Sequence, residues 1–515
     1  MNASDALIKT LVSNGLEVIF ANPGTSEMHL VASIDNNPEI RPVLGLFEGV
    51  VTGAADGYAR MAEKSAANLL HLGPGLGNGF ANIHNAKKAR SPLLNIVGDH
   101  ATYHLKHNAP LTSDLDNLAK SSSDWVGRSK SSEDICDLAN IAWQQANSLP
   151  GQISTLIVPA DSAWGEFKGN IPKPLKKEEF ASIDEQLIPN SAEVLKVDNS
   201  ILYLGGKFLN EECVNLAAKI ASKTGCRLVT DTFVSRIRRG EGLPVLEQIP
   251  YFAESAADFL KDSSGIVFIG SRPPVSFFAY PDKKSYLTPP ETNIVNLCSA
   301  EQDGLYALNS LVDETGANKI NKNLLQTAVS DVPKSGVLDA SNLGLLIANL
   351  MPENSIVSDE AATSSFLVTP QALKAKPHDW LCLTGGSIGQ GLPLAVGAAI
   401  AKPERPVITL HGDGGAMYTV QALWTQAREN LNITNIIFAN HSYEILKIEL
   451  SRVGAVKTGK RADSMFSLDN PKLDWIKLSQ SMGVPCYEPK TVEEFIKTFS
   501  SCVSEDGPST ILIQM

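Results

Sequence analysis

Short apolar runs alternate with longer helix-like stretches along the whole chain, and this alternation limits the fold more than any other feature of the sequence. In the first third the runs fall at 17–20, 41–46, 66–71, 93–98 and 154–158, with helical stretches such as 49–60 and 77–89 between them. Strands separated by helices specify a parallel sheet with helices packed on its faces. The pattern returns at 201–205, 227–231, 266–270 and 293–297, where the helix 211–224 stops at Gly225, a residue suited to a left-handed C-cap. It returns again at 356–358, 380–383, 407–410, 434–439 and 510–514, with a helix expected over 419–429. Polar stretches at 166–186 and about 314–334 read as linkers. The expected organisation is α/β: three doubly wound parallel-sheet domains at 1–165, 187–313 and 335–515, as the length of 515 residues also suggests.

Composition excludes several classes of function. Hydrophobic residues are 43% and charged residues 19%, a globular balance. The net charge of −12 gives no electrostatic footprint for nucleic acid or an anionic membrane, and 6% aromatics offers no base-stacking platform. No apolar run approaches the roughly 18 residues that a membrane span needs. The seven cysteines (136, 213, 226, 298, 382, 486, 502) form no C-x-x-C pair, which argues against a disulfide framework or zinc site and for a reducing cytoplasm. The N-terminus has an acidic residue where a signal peptide needs basic ones, and it reads as a helix capped by Asn2 and ended at Gly15. No G-x-G-x-x-G follows an early strand, which argues against a nicotinamide dehydrogenase, and Gly205-Gly206-Lys207 is not that fingerprint, so no flavin is expected.

The sharpest chemical signal is His411-Gly412-Asp413-Gly414-Gly415 after the run 407–410. Glycines there permit a tight turn and close approach of backbone N–H groups to a phosphate. The stretch Asn440-His441-Ser442-Tyr443 follows the next strand, 27 residues beyond Asp413. That interval holds one helix and one parallel strand, so Asp413 and Asn440 can meet at neighbouring strand ends. A carboxylate, an amide oxygen and a backbone carbonyl are hard oxygen ligands of the kind Mg²⁺ takes.

Gly-Asp-Gly followed at this distance by Asn resembles the binding motif of thiamine diphosphate enzymes. The resemblance implies that Asp413, Asn440 and the Ser442 carbonyl hold Mg²⁺ and the ion holds the diphosphate, with Gly412, Gly414, Gly415 and Tyr443 against the cofactor. The family usually carries Asn-Asn at the motif's end; here the first is Ala439. In the first unit, Glu48 and the following Gly49-Val50-Val51-Thr52-Gly53-Ala54-Ala55-Asp56-Gly57-Tyr58-Ala59-Arg60 resemble the activating segment of the pyruvate oxidase and acetolactate synthase group. Without that resemblance Glu48 reads as a first-turn acid complementing a helix dipole. With it, Glu48 is the carboxylic acid that bonds the aminopyrimidine and promotes loss of the thiazolium C2 proton.

The resemblance spans the chain, in the order pyrimidine, central and diphosphate domains. Asn22-Pro23-Gly24-Thr25-Ser26-Glu27 resembles the first active-site loop of benzoylformate decarboxylases, which implies cofactor contacts from Asn22, Pro23 and Gly24 and a substrate pocket at Thr25 and Ser26. In Leu70-His71-Leu72-Gly73-Pro74-Gly75-Leu76-Gly77-Asn78, the Gly-Pro-Gly resembles acetolactate synthases, while His71 stands where benzoylformate decarboxylases keep an active-site His. On its residues alone His71 is either structural or a proton carrier. Gly385-Gly386-Ser387-Ile388-Gly389-Gln390-Gly391 resembles the segment that holds the aminopyrimidine, with Ile388 propping the bent cofactor and the Gly386 carbonyl accepting from its amino group. Asp359-Glu360-Ala361-Ala362-Thr363-Ser364 resembles a diphosphate loop with Thr363 and Ser364 as donors. Phe278 stands in place of a second active-site His of benzoylformate decarboxylases. Ile445, Leu446 and Glu449 share a helix face toward the substrate, where Glu449 is either a pocket contact or a solvated charge.

The implied activity is Mg²⁺- and thiamine diphosphate-dependent decarboxylation of a small-molecule 2-oxo acid, with or without acetolactate-synthase-like carboligation. A benzoylformate-decarboxylase-like enzyme and a non-catalytic thiamine diphosphate binder are the alternatives. The implied assembly is a homodimer or homotetramer with active sites between subunits, and no nucleic acid or membrane partner.

Overall fold

A computed structural model of the protein describes residues 1–455 and 459–515. The first sheet is wholly parallel and runs Arg41–Leu44, Val18–Asn22, Ala66–His71, Leu93–Asp99, Ile153–Pro159, Trp125–Arg128 from edge to edge. Alternate residues of its inner strands feed two cores. Val18, Phe20, Leu70 and Val97 pack on one face, and Ile19, Leu69, Ile96 and Leu156 on the other. That is what a strand covered by helices on both sides requires, and it explains why these strands are continuous apolar runs.

The second sheet is parallel too, in the order Glu247–Gln248, Arg227–Thr230, Ile201–Leu204, Gly265–Ile269, Asn293–Cys298. The third runs Cys486–Tyr487, Ser509–Gln514, Ile433–Ala439, Val407–Gly412, Ile356–Glu360, His378–Cys382, Ile237–Arg239. Its last member departs from the all-parallel expectation. Ile237–Arg239 lies between strands of the second sheet in sequence, yet it pairs antiparallel with His378–Cys382 and straps the second unit onto the third. The expected boundary at 313 falls inside the helix Gly304–Thr315. The helix expected over 419–429 is shorter, Ala422–Arg428, after a separate turn.

Two helices fasten the first unit to the third. Glu48–Ala62 crosses Gly391–Ala401 so closely that a Cβ on Gly57 would overlap the Leu394 carbonyl, and one on Gly397 would overlap the Ala54 carbonyl. The apolar core on that side is shared, with Val50, Ala54 and Ala55 packed among Leu392, Ala395 and Val396. Among the described residues no helix is long and apolar enough to cross a membrane.

Candidate active site

Glu48 is the first residue of the helix Glu48–Ala62, directly after the turn that leaves the strand Arg41–Leu44. Asn22, at the end of the neighbouring strand, donates from Nδ2 to the Gly45 carbonyl at 2.8 Å and pins that turn. The Glu48 side chain is buried. Its Oε2 accepts from Asn78 Nδ2 at 3.0 Å, and a Cβ on Gly75 would stand 3.2 Å from Oε1. One oxygen is therefore fixed, and the glycine leaves room beside the other. One turn beyond Asn78 on the helix Leu72–Ala89, Asn82 Nδ2 donates to the Gly49 carbonyl at 2.8 Å and the Gly389 carbonyl at 3.2 Å, binding the activator segment to the third unit.

His71 ends the strand Ala66–His71, and its Nδ1 stands 2.8 Å from Oε2 of the fully buried Glu27. The same Oε2 accepts from the Gly24 N–H at 2.7 Å, while Ser26 Oγ donates to Oε1 at 2.5 Å and lies 3.1 Å from His71 Nδ1. Two glycines make the arrangement possible: a Cβ on Gly24 would overlap the imidazole, and one on Gly98 would overlap the Glu27 carboxylate. A carboxylate at Nδ1 fixes the tautomer and leaves Nε2 free to exchange a proton. Thr25 is exposed beside this pair, and Pro23 is half-buried.

Asp413 and Asn440 follow neighbouring parallel strands in which Gly412 pairs with Phe438. The buried Asp413 accepts from the Gly414 N–H at Oδ1 and the His441 N–H at Oδ2, both at 2.9 Å. Asn440 Oδ1 accepts from the Ser442 N–H at 3.0 Å, across a left-handed turn at His441 (φ 51°). Burial raises the Asp413 carboxyl above its usual range, with the two N–H donors pulling it back. The Tyr443 ring covers Gly414, where a Cβ would meet it at 2.6 Å, whereas a Cβ on Gly412 would meet nothing nearer than the Ala361 carbonyl at 3.9 Å, so that side stays open to an incoming group. Gly415 lies where a Cβ would meet Ile388 Cγ2 at 3.4 Å. The metal motif and the aminopyrimidine segment therefore touch.

Gly386 (φ 72°) and Gly389 (φ 101°) turn the segment after His378–Cys382 and lift Ile388 to its apex, 36% exposed. Thr363 and Ser364 lie in a short turn after the strand Ile356–Glu360, with Asp359 accepting from the Ala361 N–H at 3.1 Å and Ser365 Oγ at 2.6 Å. Phe277, rather than Phe278, brings its ring against Gly386, where a Cβ would meet it at 2.7 Å; Phe278 stands edge-on to Phe277 at 5.4 Å. Ile445 and the exposed Leu446 lie on the helix Glu444–Arg452. Glu449 on that helix is no solvated charge. It accepts from Tyr280 Oη at 2.5 Å and lies 3.6 Å from Arg452 Nε, while Arg452 also pairs with Glu254.

Sequence patterns alone did not single out Glu27, Asn78, Asn82 or Glu360. A signal existed for the first two: each is a hydrogen-bonding side chain that closes a glycine-bearing stretch, in Pro23-Gly24-Thr25-Ser26-Glu27 and Gly75-Leu76-Gly77-Asn78.

Residues 1–119 match the family model described as thiamine pyrophosphate enzyme, N-terminal TPP binding domain, and residues 363–513 match the corresponding C-terminal TPP binding domain. The chain belongs to the thiamine pyrophosphate enzyme family. It is 44% identical to a Mycobacterium tuberculosis protein provisionally named acetolactate synthase large subunit IlvX, over 99% of this chain and 98% of that protein. It is 25% identical to benzoylformate decarboxylase of Pseudomonas aeruginosa, over 98% of this chain and 97% of that protein. The fold matches the solved structure of a Rhodococcus jostii RHA1 thiamine diphosphate-dependent 4-hydroxybenzoylformate decarboxylase with a TM-score of 0.85 at 23% identity, covering 100% of this chain and 99% of that one.

The residues present fit the family's cofactor. A buried carboxyl and an amide oxygen stand at adjacent strand ends, an open glycine directly precedes the carboxyl, hydroxyls sit on the loop after the next strand, and Ile388 is 36% exposed. Among the described residues no three His, Cys, Asp or Glu side chains group as a metal site.

Proposed function

We propose that this thiamine diphosphate-dependent enzyme, a relative of acetolactate synthase and benzoylformate decarboxylase, uses Mg²⁺ and decarboxylates a 2-oxo acid, passing the product on to a second carbonyl compound or releasing it as an aldehyde. The observation that carries this reading is the buried Glu48 with one oxygen fixed by Asn78 at 3.0 Å. A protein that only bound the cofactor would need the metal ligands but not this acid.

When bound, thiamine diphosphate supplies the electron sink for loss of carbon dioxide from a 2-oxo acid. Asp413, Asn440 and the Ser442 carbonyl would hold Mg²⁺, with Thr363, Ser364 and the backbone of Gly412, Gly414 and Gly415 facing the diphosphate. Glu48, buried at a helix start, presents its carboxyl to a ring nitrogen of the aminopyrimidine. The Gly386 carbonyl and Ile388 orient that ring, and Asn22, Pro23 and Gly24 close its other side. His71, with Nδ1 held by Glu27, exchanges a proton at Nε2 with the reacting carbonyl or carboxylate. Ser26, Thr25, Phe278, Ile445, Leu446 and Glu449 border the substrate pocket.

The two halves of the site come from different copies of the chain in this reading, giving a homodimer or a homotetramer. Large apolar side chains left uncovered near both halves support it: Leu46 is 46% exposed, Tyr418 54% and Ile388 36%. The Glu27–His71 pair favours a second reading, a simple decarboxylase that returns a proton to the product. A screen of aliphatic, aromatic and sulfonated 2-oxo acids, following carbon dioxide release and product identity with and without an acceptor aldehyde, separates the two. No release from any of them contradicts both.

A further inference from the structure

Glu360 is a buried acid at the end of the strand Ile356–Glu360, with its side chain 2% exposed, and it is not among the residues that would touch cofactor. Its carboxylate reaches away from its own loop. Oε1 accepts from the Gly389 N–H at 2.6 Å and Oε2 from the Gly391 N–H at 2.5 Å. The fully buried His411 brings Nε2 to 3.1 Å from Oε2, outside hydrogen-bond alignment, while its Nδ1 is 3.2 Å from the Gly412 carbonyl. The fit is tight: a Cβ on Gly391 would meet His411 Cδ2 at 2.8 Å and Glu360 Cβ at 3.1 Å, and one on Gly415 would meet His411 Cε1 at 3.0 Å.

Three backbone segments thus converge on one carboxylate: the loop 359–364, the aminopyrimidine segment 386–391 and the metal motif 411–415. Desolvating a charged acid is unfavourable, and apolar residues of similar volume usually serve stability as well or better. What apolar packing cannot do is fix two N–H groups, two residues apart in an irregular, glycine-bearing segment, in one orientation. The rest of that segment is held from the outside. Asn82 and Thr419 donate to the Gly389 carbonyl at 3.2 and 2.8 Å, Gln390 Nε2 donates to Asp56 at 2.6 Å, and Ser358 Oγ donates to the Gly391 carbonyl at 2.8 Å.

We propose that Glu360 is a positioning residue: by clamping the Gly389 and Gly391 amides against His411, it sets the height of Ile388 and the direction of the Gly386 carbonyl relative to the metal motif before any cofactor arrives. The proposal rests on the thiamine diphosphate reading above. It concerns the ring end of the cofactor and leaves the diphosphate end to other residues.

Glu360→Gln removes one acceptor and sets an amide N–H₂ against a backbone N–H. Calorimetric titration at fixed Mg²⁺ compares two probes, thiamine diphosphate and inorganic pyrophosphate. The expected result is about tenfold or greater weakening for thiamine diphosphate, the loss of one charge-assisted hydrogen bond, with pyrophosphate affinity changed less than about twofold. Unchanged thiamine diphosphate affinity, or equal weakening of both probes, overturns the proposal. A wild-type chain that binds neither probe overturns the thiamine diphosphate reading instead, a distinguishable failure. Should the variant not fold, hydrogen exchange on the wild-type chain without cofactor decides. Slow exchange over 386–391 supports a preset clamp, and exchange as fast as in exposed loops overturns it.

Discussion

Asp56 and Arg60, one turn apart on the helix that begins at Glu48, form a bidentate ion pair at 2.7 and 2.9 Å whose side chains are 0% and 2% exposed. The guanidinium also reaches the carbonyls of Ser235 and Cys382 and the Thr384 hydroxyl, and Asp56 accepts from Gln390 and Ser91. All three units meet at this pair, on the same helix that presents Glu48.

Removing one partner leaves an uncompensated buried charge, a loss of about 3–5 kcal/mol. Asp56→Asn is therefore expected to lower the melting temperature strongly, seen by scanning calorimetry. A melting temperature within a degree of the wild type would show that the pair does not join the units.

The crossing of Glu48–Ala62 with Gly391–Ala401 admits no side chain at either contact glycine. Gly397→Ala should destabilise by about 1–3 kcal/mol or more through overpacking and should reduce activity by moving Glu48. Limited proteolysis and thermal unfolding check the first effect, and cofactor affinity checks the second.

His378 is fully buried on the strand next to Arg239, and burial, then the nearby Arg239 charge, push its imidazole down to about 3. In the unfolded chain it protonates near its ordinary value of about 6.5. Between those values the unfolded state binds the extra proton, so stability is full above about 6.5 and falls as pH drops toward 3. His378→Gln should flatten the acid side of a plot of melting temperature against pH. An unchanged slope would contradict the assignment.

Glu27→Gln keeps the size of the side chain but removes the carboxylate that fixes His71. The expected loss in kcat is about 10²-fold, similar to His71→Ala and within the usual range for a positioned acid–base group. The double variant should lose little more than either single one, because the two act as a unit. Additive losses would show that Glu27 has a separate role.

Much of this architecture was legible in the sequence because buried parallel strands must be continuous apolar runs, and Ala66–His71 is found where its run lies. Strand ends are also where parallel sheets place ligands, which is why Asp413 and Asn440 could be singled out from spacing and glycine pattern, whereas Glu48 stood out only through the resemblance of its segment. Trp125–Arg128 and Ile237–Arg239 were not legible, since both are short edge strands whose pairing depends on distant partners. Glu360 escaped for a similar reason: its partners Gly389 and Gly391 are backbone amides some thirty residues away, which leave no side-chain signature. Phe277 and Phe278 are adjacent, and only the loop's turn decides which one meets Gly386.

The proposed chemistry requires Glu48 to wake the cofactor's reactive carbon. The direct measurement is the exchange rate of the C2 proton of bound thiamine diphosphate for deuterium, quenched in acid and read by NMR, with Mg²⁺ present. The wild-type chain is expected to exchange far faster than free cofactor, and Glu48→Gln to lose at least about 10²-fold of that rate while still binding thiamine diphosphate and Mg²⁺. Bound cofactor exchanging no faster than free cofactor, or a Glu48→Gln variant exchanging at the wild-type rate, would contradict it.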